Sequence, residues 1–387
     1  MKKYLFYFTF AYLFLLPWDS YFLLNLSFPF SPSFVFLGLI LLIFIIDIVY
    51  LKKPLIINHS FIILFFLYIY IFSSILWTPT DNGLFRFGII LSYLLTSFLL
   101  YYSVQHYKLS KQVLLGYFFG ILSISIFAFY ASENDVTRFS VALDYNPTWF
   151  AAQVLWALLI SLFILKKASL PQKIFFLSAD LFLFVILLLT QGRNSLITLI
   201  LSLLLSIVIV YILKRNKLLK GLIIVASILL LTYFSIYFIV GEDNLSYLLS
   251  TINRFEAGDT VGATAGRTVL WKHFIGLIPD NLFFGRGIYS SSFDFYQPPH
   301  NVYILFLYEY GVVGFLMFVY FLIVMFVKAY KSNNSLQNLV LVISIILLGM
   351  GNDTFYYKYW WTGIWIYYIT LSLKGNYDCK ATVKRIS

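Results

Sequence analysis

Charge is scarce in this chain, and so is sulfur. Lys, Arg, Asp and Glu make up only 11% of its 387 residues, where ordinary soluble domains carry about a quarter. A freely soluble globular domain is therefore excluded. There is one cysteine, Cys379, so no intrachain disulfide can form and thiol redox chemistry is not expected. A Walker loop, a dinucleotide-binding glycine fingerprint and a zinc-ligand spacing are all missing. Close carboxylate pairs in the predicted outer loops are limited to Glu133-Asn134-Asp135 and Glu242-Asp243. Neither has His or Cys support, so no metal site and no cofactor is expected. The two halves of the chain do not mirror one another, which argues against an inverted-repeat transporter.

What fills the chain instead is apolar: 61% of residues are hydrophobic and 21% aromatic. A bilayer span needs roughly 20 apolar residues. Twelve such stretches occur, at 4–24, 33–50, 60–77, 84–103, 112–130, 147–165, 174–190, 194–213, 219–240, 301–327, 335–350 and 359–373. The composition therefore predicts an all-α, polytopic membrane protein, with residues 1–387 forming one integral membrane domain. The first stretch follows Met1-Lys2-Lys3 but has no small-x-small cleavage site before Pro17-Trp18-Asp19. It is expected to be a retained span, not a signal peptide.

The net charge of +11 raises the question of nucleic acid, but its distribution points to topology. Alternating the spans from a cytoplasmic N-terminus puts 19 of the 27 Lys and Arg on one side. The Lys/Arg bias of short loops marks that side as cytoplasmic. Both termini are then expected inside, with residues 241–299 forming one large loop outside. The outer side keeps Arg86, Arg138, Arg193, Arg254, Arg267, Lys272, Arg286 and Lys358, of which six are Arg. Arg is the planar, permanently charged fork suited to phosphate and carboxylate.

Loops as long as 241–299 are usually functional or disordered, and this one is too aromatic for disorder. Glu242 to Phe255 reads as a short helix, and Ala257 to Gly266 as a small, flexible segment. Gly266 to Ile278 places Arg267, Trp271, Phe274 and Ile278 on one helical face, predicting a helix along the outer leaflet. Gly285-Arg286-Gly287 reads as a tight basic turn whose backbone N–H groups could approach an anion.

Among four histidines, His59 and His106 fall on the cytoplasmic side and His273 on the loop helix. His300 is the sharp candidate, fixed by Pro298-Pro299 and placed at the mouth of a span, with Tyr303 one turn further on. Imidazole can accept a proton from a sugar hydroxyl near neutral pH, a step worth about 10²–10⁴ in rate. Arg193, in a very short turn between two apolar helices, needs a partner or a polar cavity. That partner is either an outer acid such as Asp144 or Asp353, or an anionic ligand shared with Arg267 and Arg286. A charge pair at 4 Å gains roughly 4 kcal/mol at an effective dielectric of 20, before desolvation. Such groups stabilise a departing diphosphate electrostatically. Trp271, Tyr289 and Tyr296 read either as sugar-stacking platforms or as residues packing the loop onto the membrane. Glu309 reads as orienting His300 or as capping polar groups within the bundle. Asp180, inside an apolar helix, has no intramembrane basic partner in view and reads as protonated or reaching the interface.

These motifs, taken in order, resemble the bacterial O-antigen ligase/O-antigen polymerase superfamily of polytopic glycosyltransferases. The likeness is strongest at GRTVLWKHFIGLIPDNLFFGRG (266–287) and HNVYILFLYEYGVVG (300–314). Supporting matches are Ser74-Ile75-Leu76-Trp77 before Arg86, Asp144-Tyr145-Asn146-Pro147, Thr190-Gln191-Gly192-Arg193 and Gly351-Asn352-Asp353. The resemblance implies a multi-pass protein of the bacterial inner membrane that takes a glycan from undecaprenyl diphosphate at the periplasmic face. Arg193 and Arg267 would hold the diphosphate and His300 would activate the acceptor hydroxyl. Arg286 would assist, and Asp353 would correspond to an outer-face acid of the ligases. No nucleotide sugar or metal is implied. A polymerase moves the growing chain onto a lipid-linked repeat unit, and a ligase moves the finished chain onto lipid A–core. The compact, Phe- and Tyr-rich chain is more like the polymerases, for which a chain-length regulator protein is an expected partner. A flippase or exporter for the same lipid-linked glycan is the rival from another class.

Overall fold

The computed structural model describes residues 1–27, 31–55, 57–131, 139–140, 146–166, 168–214, 267–351 and 354–372. These residues form helices α1 (Lys2–Leu15), α2 (Asp19–Asn25), α3 (Pro32–Val49), α4 (His59–Ser73), α5 (Gly83–Tyr107), α6 (Ser110–Ala131) and α7 (Pro147–Leu165). There follow α8 (Leu170–Leu189), α9 (Arg193–Ile207), α10 (Arg267–Leu277), α11 (Ser290–Phe295), α12 (Val302–Lys331), α13 (Ser335–Gly351) and α14 (Lys358–Leu371). No strand occurs among the described residues, in keeping with the all-α expectation.

Helix starts follow local chemistry. Pro32 and Pro147 open α3 and α7, where a missing N–H costs nothing. The side chains of Asn58, Asn146 and Asn301 accept from the first-turn amides of α4, α7 and α12. The predicted 4–24 span is divided, because Pro17 falls between α1 and α2 and its ring cannot continue a helix. The corner is pinned by Asp19, which is buried and accepts from the Ser33 amide (3.1 Å) and hydroxyl (2.6 Å) and pairs with Lys358 (3.2 Å).

Eight helices among the described residues are long and apolar enough to cross a membrane, rather than the twelve expected. α1 and α14 have 14 residues each, or about 21 Å of helix, against a hydrocarbon thickness near 30 Å. α13 is also shorter than a full span, and the predicted 219–240 stretch lies outside the described residues.

The bundle is centred on α7, α13 and α14, whose residues are mostly buried. Trp156, Trp360 and Trp361 are fully buried, and each indole N–H finds a backbone carbonyl, of Tyr359, Ile345 and Phe355 respectively. α1 packs closely on α6, where Gly116 and Gly120 lie against the Phe10 and Phe14 backbone. Small residues four apart let membrane helices approach in this way.

One helix is broken. Gly311 in α12 has φ +63° and ψ −169°, so the run read as a single 301–327 span is two helical pieces. The amides of Val312 and Val313 donate to the carbonyls of Leu282 (2.8 Å) and Phe283 (3.2 Å). The carbonyls of Tyr308 and Glu309, which those amides would serve in a continuous helix, accept from Arg286 (2.9 Å) and Gly287 (2.8 Å). A loop segment is thus laid into the break and satisfies backbone groups that would each cost several kcal/mol if left unpaired in lipid.

Candidate active site

The end of the bundle where α9, α12 and α14 begin and α13 ends collects most of the predicted site residues. A helix terminus leaves its last four carbonyls without intrahelical partners. At the end of α13, three segments supply donors. Asn194 Nδ2 reaches Leu348 O at 3.1 Å, Asn301 Nδ2 reaches Met350 O at 3.2 Å, and Arg267 Nη1 reaches Gly351 O at 2.7 Å. Arg193 precedes the first of these donors and His300 precedes the second. The segments bearing Arg193, Arg267 and His300 therefore meet at one helix end, and all three side chains are half-buried. Asp144 and Asp353, named above as acids of this region, lie outside the described residues.

His300 has φ +52°, a conformation uncommon for a side-chain-bearing residue and often found at functional positions. It is held from both sides. The carbonyl of Pro299 accepts from Trp271 Nε1 at 2.6 Å, and Asn301 accepts from the amides of Tyr303 (2.9 Å) and Ile304 (3.2 Å). Trp271 thus fastens the loop helix to the His300 segment.

The α10 face predicted from spacing exists but turns toward the protein. Phe274 is fully buried between Phe295 (ring centroids 4.5 Å apart) and Tyr308 (4.9 Å), while Val269, Ile275 and Leu277 are exposed. The predicted helix over 242–255 lies outside the described residues.

The Gly285-Arg286-Gly287 turn departs from expectation. Its three amides are consumed internally, by the carbonyls of Asn281, Tyr308 and Glu309. They form no anion cradle. The Arg286 guanidinium is also engaged, gripping Asp294 through Nε (2.6 Å) and Nη2 (3.0 Å), while Tyr308 donates to the same carboxylate at 2.6 Å. The bond to Asp294 raises the Arg286 pKa, so the group is a permanent cation. Its neighbours are Leu277, Asp280 and Phe295, not the α13 end.

Tyr303 is likewise occupied, its hydroxyl donating to Ile346 O at 2.9 Å. Glu309 is fully buried and serves the loop, not His300. It accepts from the Ser291 hydroxyl (2.5 Å) and amide (3.3 Å) and from the Tyr356 hydroxyl. Tyr356 also meets the Tyr310 hydroxyl at 2.8 Å and accepts from the Tyr289 amide at 3.1 Å. Burial, with Glu309 beside it, pushes the Tyr356 phenol well above its ordinary range.

Beside this network opens a cavity of about 650 Å³, lined by Arg86, Tyr289, Phe293, Asp294, Tyr296, Pro298, Tyr356 and Tyr357, with Thr80, Asn82 and Ser292. Two predicted platform residues, Tyr289 and Tyr296, are on its wall. Tyr296 is 96% exposed, so it forms the rim. Arg86, one of the eight outer cations and the residue that follows the Ser74–Trp77 match, donates to the Tyr289 hydroxyl at 2.6 Å. Its position one turn inside a membrane helix was the available signal.

Comparison with known proteins bears on this geometry. Residues 178–319 match the family model described as O-antigen ligase. The chain is similar to that family over this segment. The matched segment contains Arg193, Arg267, Arg286 and His300, and it supports membership of the O-antigen ligase/polymerase superfamily. Ligase- or polymerase-type glycosyl transfer by a multi-pass membrane protein, acting on a lipid-linked glycan, is the activity that fits. No curated protein matches the chain.

Proposed function

We propose that this protein is an O-antigen (surface polysaccharide) polymerase of the bacterial inner membrane, with both termini cytoplasmic and its site on the periplasmic face. It transfers a glycan from undecaprenyl diphosphate onto a lipid-linked repeat unit. The observation that carries this reading is the meeting of the Arg193, Arg267 and His300 segments at the end of α13.

Arg193 occupies the first position of α9, and Arg267 is the first described residue of α10. A cation there opposes the helix dipole at a cost of about 0.3–1 kcal/mol. An anionic ligand between them offsets that cost. In the reaction, the acceptor hydroxyl oxygen bonds to the anomeric carbon of the donor sugar and its proton passes to His300. The bond from that carbon to the phosphate oxygen breaks, and undecaprenyl diphosphate leaves with the electron pair, its charge met by Arg193 and Arg267. This scheme requires no metal. Arg286 assists only at a distance, since Asp294 holds it. Trp271 and Tyr303 act by fixing the His300 segment, and Tyr289 and Tyr296 face the sugars. Asp353, two residues beyond Gly351, is assigned to the same end of the site from the resemblance alone.

The family description favours one second reading, a ligase that delivers the finished glycan to lipid A–core. A gene deletion read on a lipopolysaccharide gel separates the two. A single repeat unit on the core supports the polymerase. Bare core with polymeric glycan on the lipid carrier identifies the ligase, and repeat units retained inside the cell would identify a flippase. Capsule loss with unchanged lipopolysaccharide would move the protein to a capsular pathway.

A further inference from the structure

The cavity beside the α13 end holds a cation that no carboxylate among the described residues compensates. Among the described residues no carboxylate pairs with Arg86, whereas Asp294 on the same wall is already matched by Arg286 and Tyr308. Arg86 Nε is buried and has no hydrogen-bond partner among the described residues, and the guanidinium carbon lies 4.1 Å from the centre of the Tyr289 ring. Buried donors without partners are rare in folded proteins and call for a ligand or water. A cation at membrane depth usually marks a functional site.

The surrounding wall is suited to sugar. Tyr289, Tyr356 and Tyr357 line it with aromatic side chains, and Asn82 and Ser292 with hydrogen-bonding ones. The volume, about 650 Å³, falls in the ordinary range of small-molecule sites, roughly 300–1,000 Å³. Its position is informative as well. Pro298 and Tyr356 line it, and the same two segments continue to His300 and back to Gly351, the partner of Arg267. None of Arg193, Arg267 and Arg286 lines it. The cavity therefore flanks the proposed donor-diphosphate residues without sharing them.

We infer that this cavity is the acceptor subsite, and that Arg86 recognises an oxyanion carried by the acceptor. The inference rests on the glycosyl-transfer reading above and adds a substrate class to it. The oxyanion is either a carboxylate of an acidic sugar or the diphosphate of the lipid that carries the acceptor. A second diphosphate site is what a polymerase, with two lipid-linked substrates, would need.

The test uses the full-length protein purified in detergent and observed by native mass spectrometry. The probes are farnesyl diphosphate, methyl glucuronide and its neutral counterpart methyl glucoside. The variants are Arg86→Gln and Ser292→Trp, the second filling the cavity without altering the arginine. If the anion is a lipid diphosphate, the wild type binds two farnesyl diphosphates and both variants bind one. If it is a sugar carboxylate, the diphosphate count stays at one. The glucuronide, bound at least 10-fold more tightly than the glucoside by the wild type, then loses that preference in both variants. Unchanged diphosphate count together with unchanged glucuronide preference overturns the inference. Arg267→Ala separates the two assignments. If it leaves diphosphate binding intact while Arg86→Gln removes it, the donor-site reading fails and the Arg86 site stands.

Discussion

Arg267 donates through Nη1 to the carbonyl of Gly351 at 2.7 Å, tying the first residue of α10 to the last residue of α13. With Asn194 and Asn301 on neighbouring carbonyls, the helix end becomes the frame on which the candidate site is built. Asn301 has two tasks, capping α12 and holding Met350 O. Asn301→Ala should lower the thermal midpoint of the purified protein, since a lost N-cap costs about 0.5–2 kcal/mol. It should also reduce glycan chain growth by loosening the residue next to His300. A thermal melt and a glycan gel on the same variant check both effects.

The loop segment and the break in α12 depend on each other through two glycines. Gly285 (φ +72°) and Gly311 (φ +63°) are in the left-handed region, and a Cβ on either would strike backbone, of Glu309 and Tyr310 or of Phe283. Left-handed backbone alone costs a side-chain-bearing residue about 1–2 kcal/mol, and the collisions add to it. Gly285→Ala and Gly311→Ala should both melt well below the wild type. Gly276→Ala is the control, because a Cβ there meets nothing within 4 Å and alanine is favoured in helices by about 0.8–1.0 kcal/mol. It should melt at or above the wild-type temperature.

The buried carboxylate of Glu309 holds α11 in place through Ser291 and carries the Tyr356 hydroxyl. Glu309→Ala would leave both hydroxyls and one amide without their acceptor, at about 1–3 kcal/mol for each group stranded. Tyr356→Phe removes one of the three donors to Glu309 and leaves the Tyr289 amide and the Tyr310 hydroxyl without that partner. The expected order of melting temperatures is wild type, then Tyr356→Phe, then Glu309→Ala, with His300-dependent activity falling in the same order because the cavity wall is disturbed.

Arg286→Ala should behave unlike Arg267→Ala. The Arg286–Asp294 pair is partly exposed, with 43% of the arginine side chain accessible, and such pairs contribute about 0–1 kcal/mol. Chain growth in Arg286→Ala should stay within several-fold of the wild type. A loss as deep as that of Arg267→Ala would mean that Arg286 leaves Asp294 and reaches the diphosphate.

Much of this architecture is legible in the sequence, for a physical reason. Apolar runs of membrane length admit little besides helix, so α3 to α9 and α12 fall close to the predicted stretches. Pro17 divides the first stretch, although hydropathy alone reads through it. Gly311 was harder, because Tyr-Gly-Val-Val-Gly is as apolar as the span around it. The break is set by loop carbonyls at Leu282 and Phe283, distant in sequence and able to replace the helix's own. The same exchange explains why the Gly285-Arg286-Gly287 amides, open to an anion on paper, are occupied. Arg193, Arg267 and His300 could be singled out by residue type and depth. Arg86 shares that residue type and depth, but its place in a cavity comes from Tyr289, a residue contributed by another segment.

Chain growth in a deletion strain carrying Arg267→Ala or His300→Ala, each confirmed as inserted in the membrane, tests the central claim most directly. Removing an oxyanion-stabilising donor costs about 10²–10³ in rate and losing a general base about 10²–10⁴. The expected gel therefore shows glycan arrested at its shortest form in both variants. Wild-type chain lengths in both would contradict the assignment of this helix end as the site of glycosyl transfer.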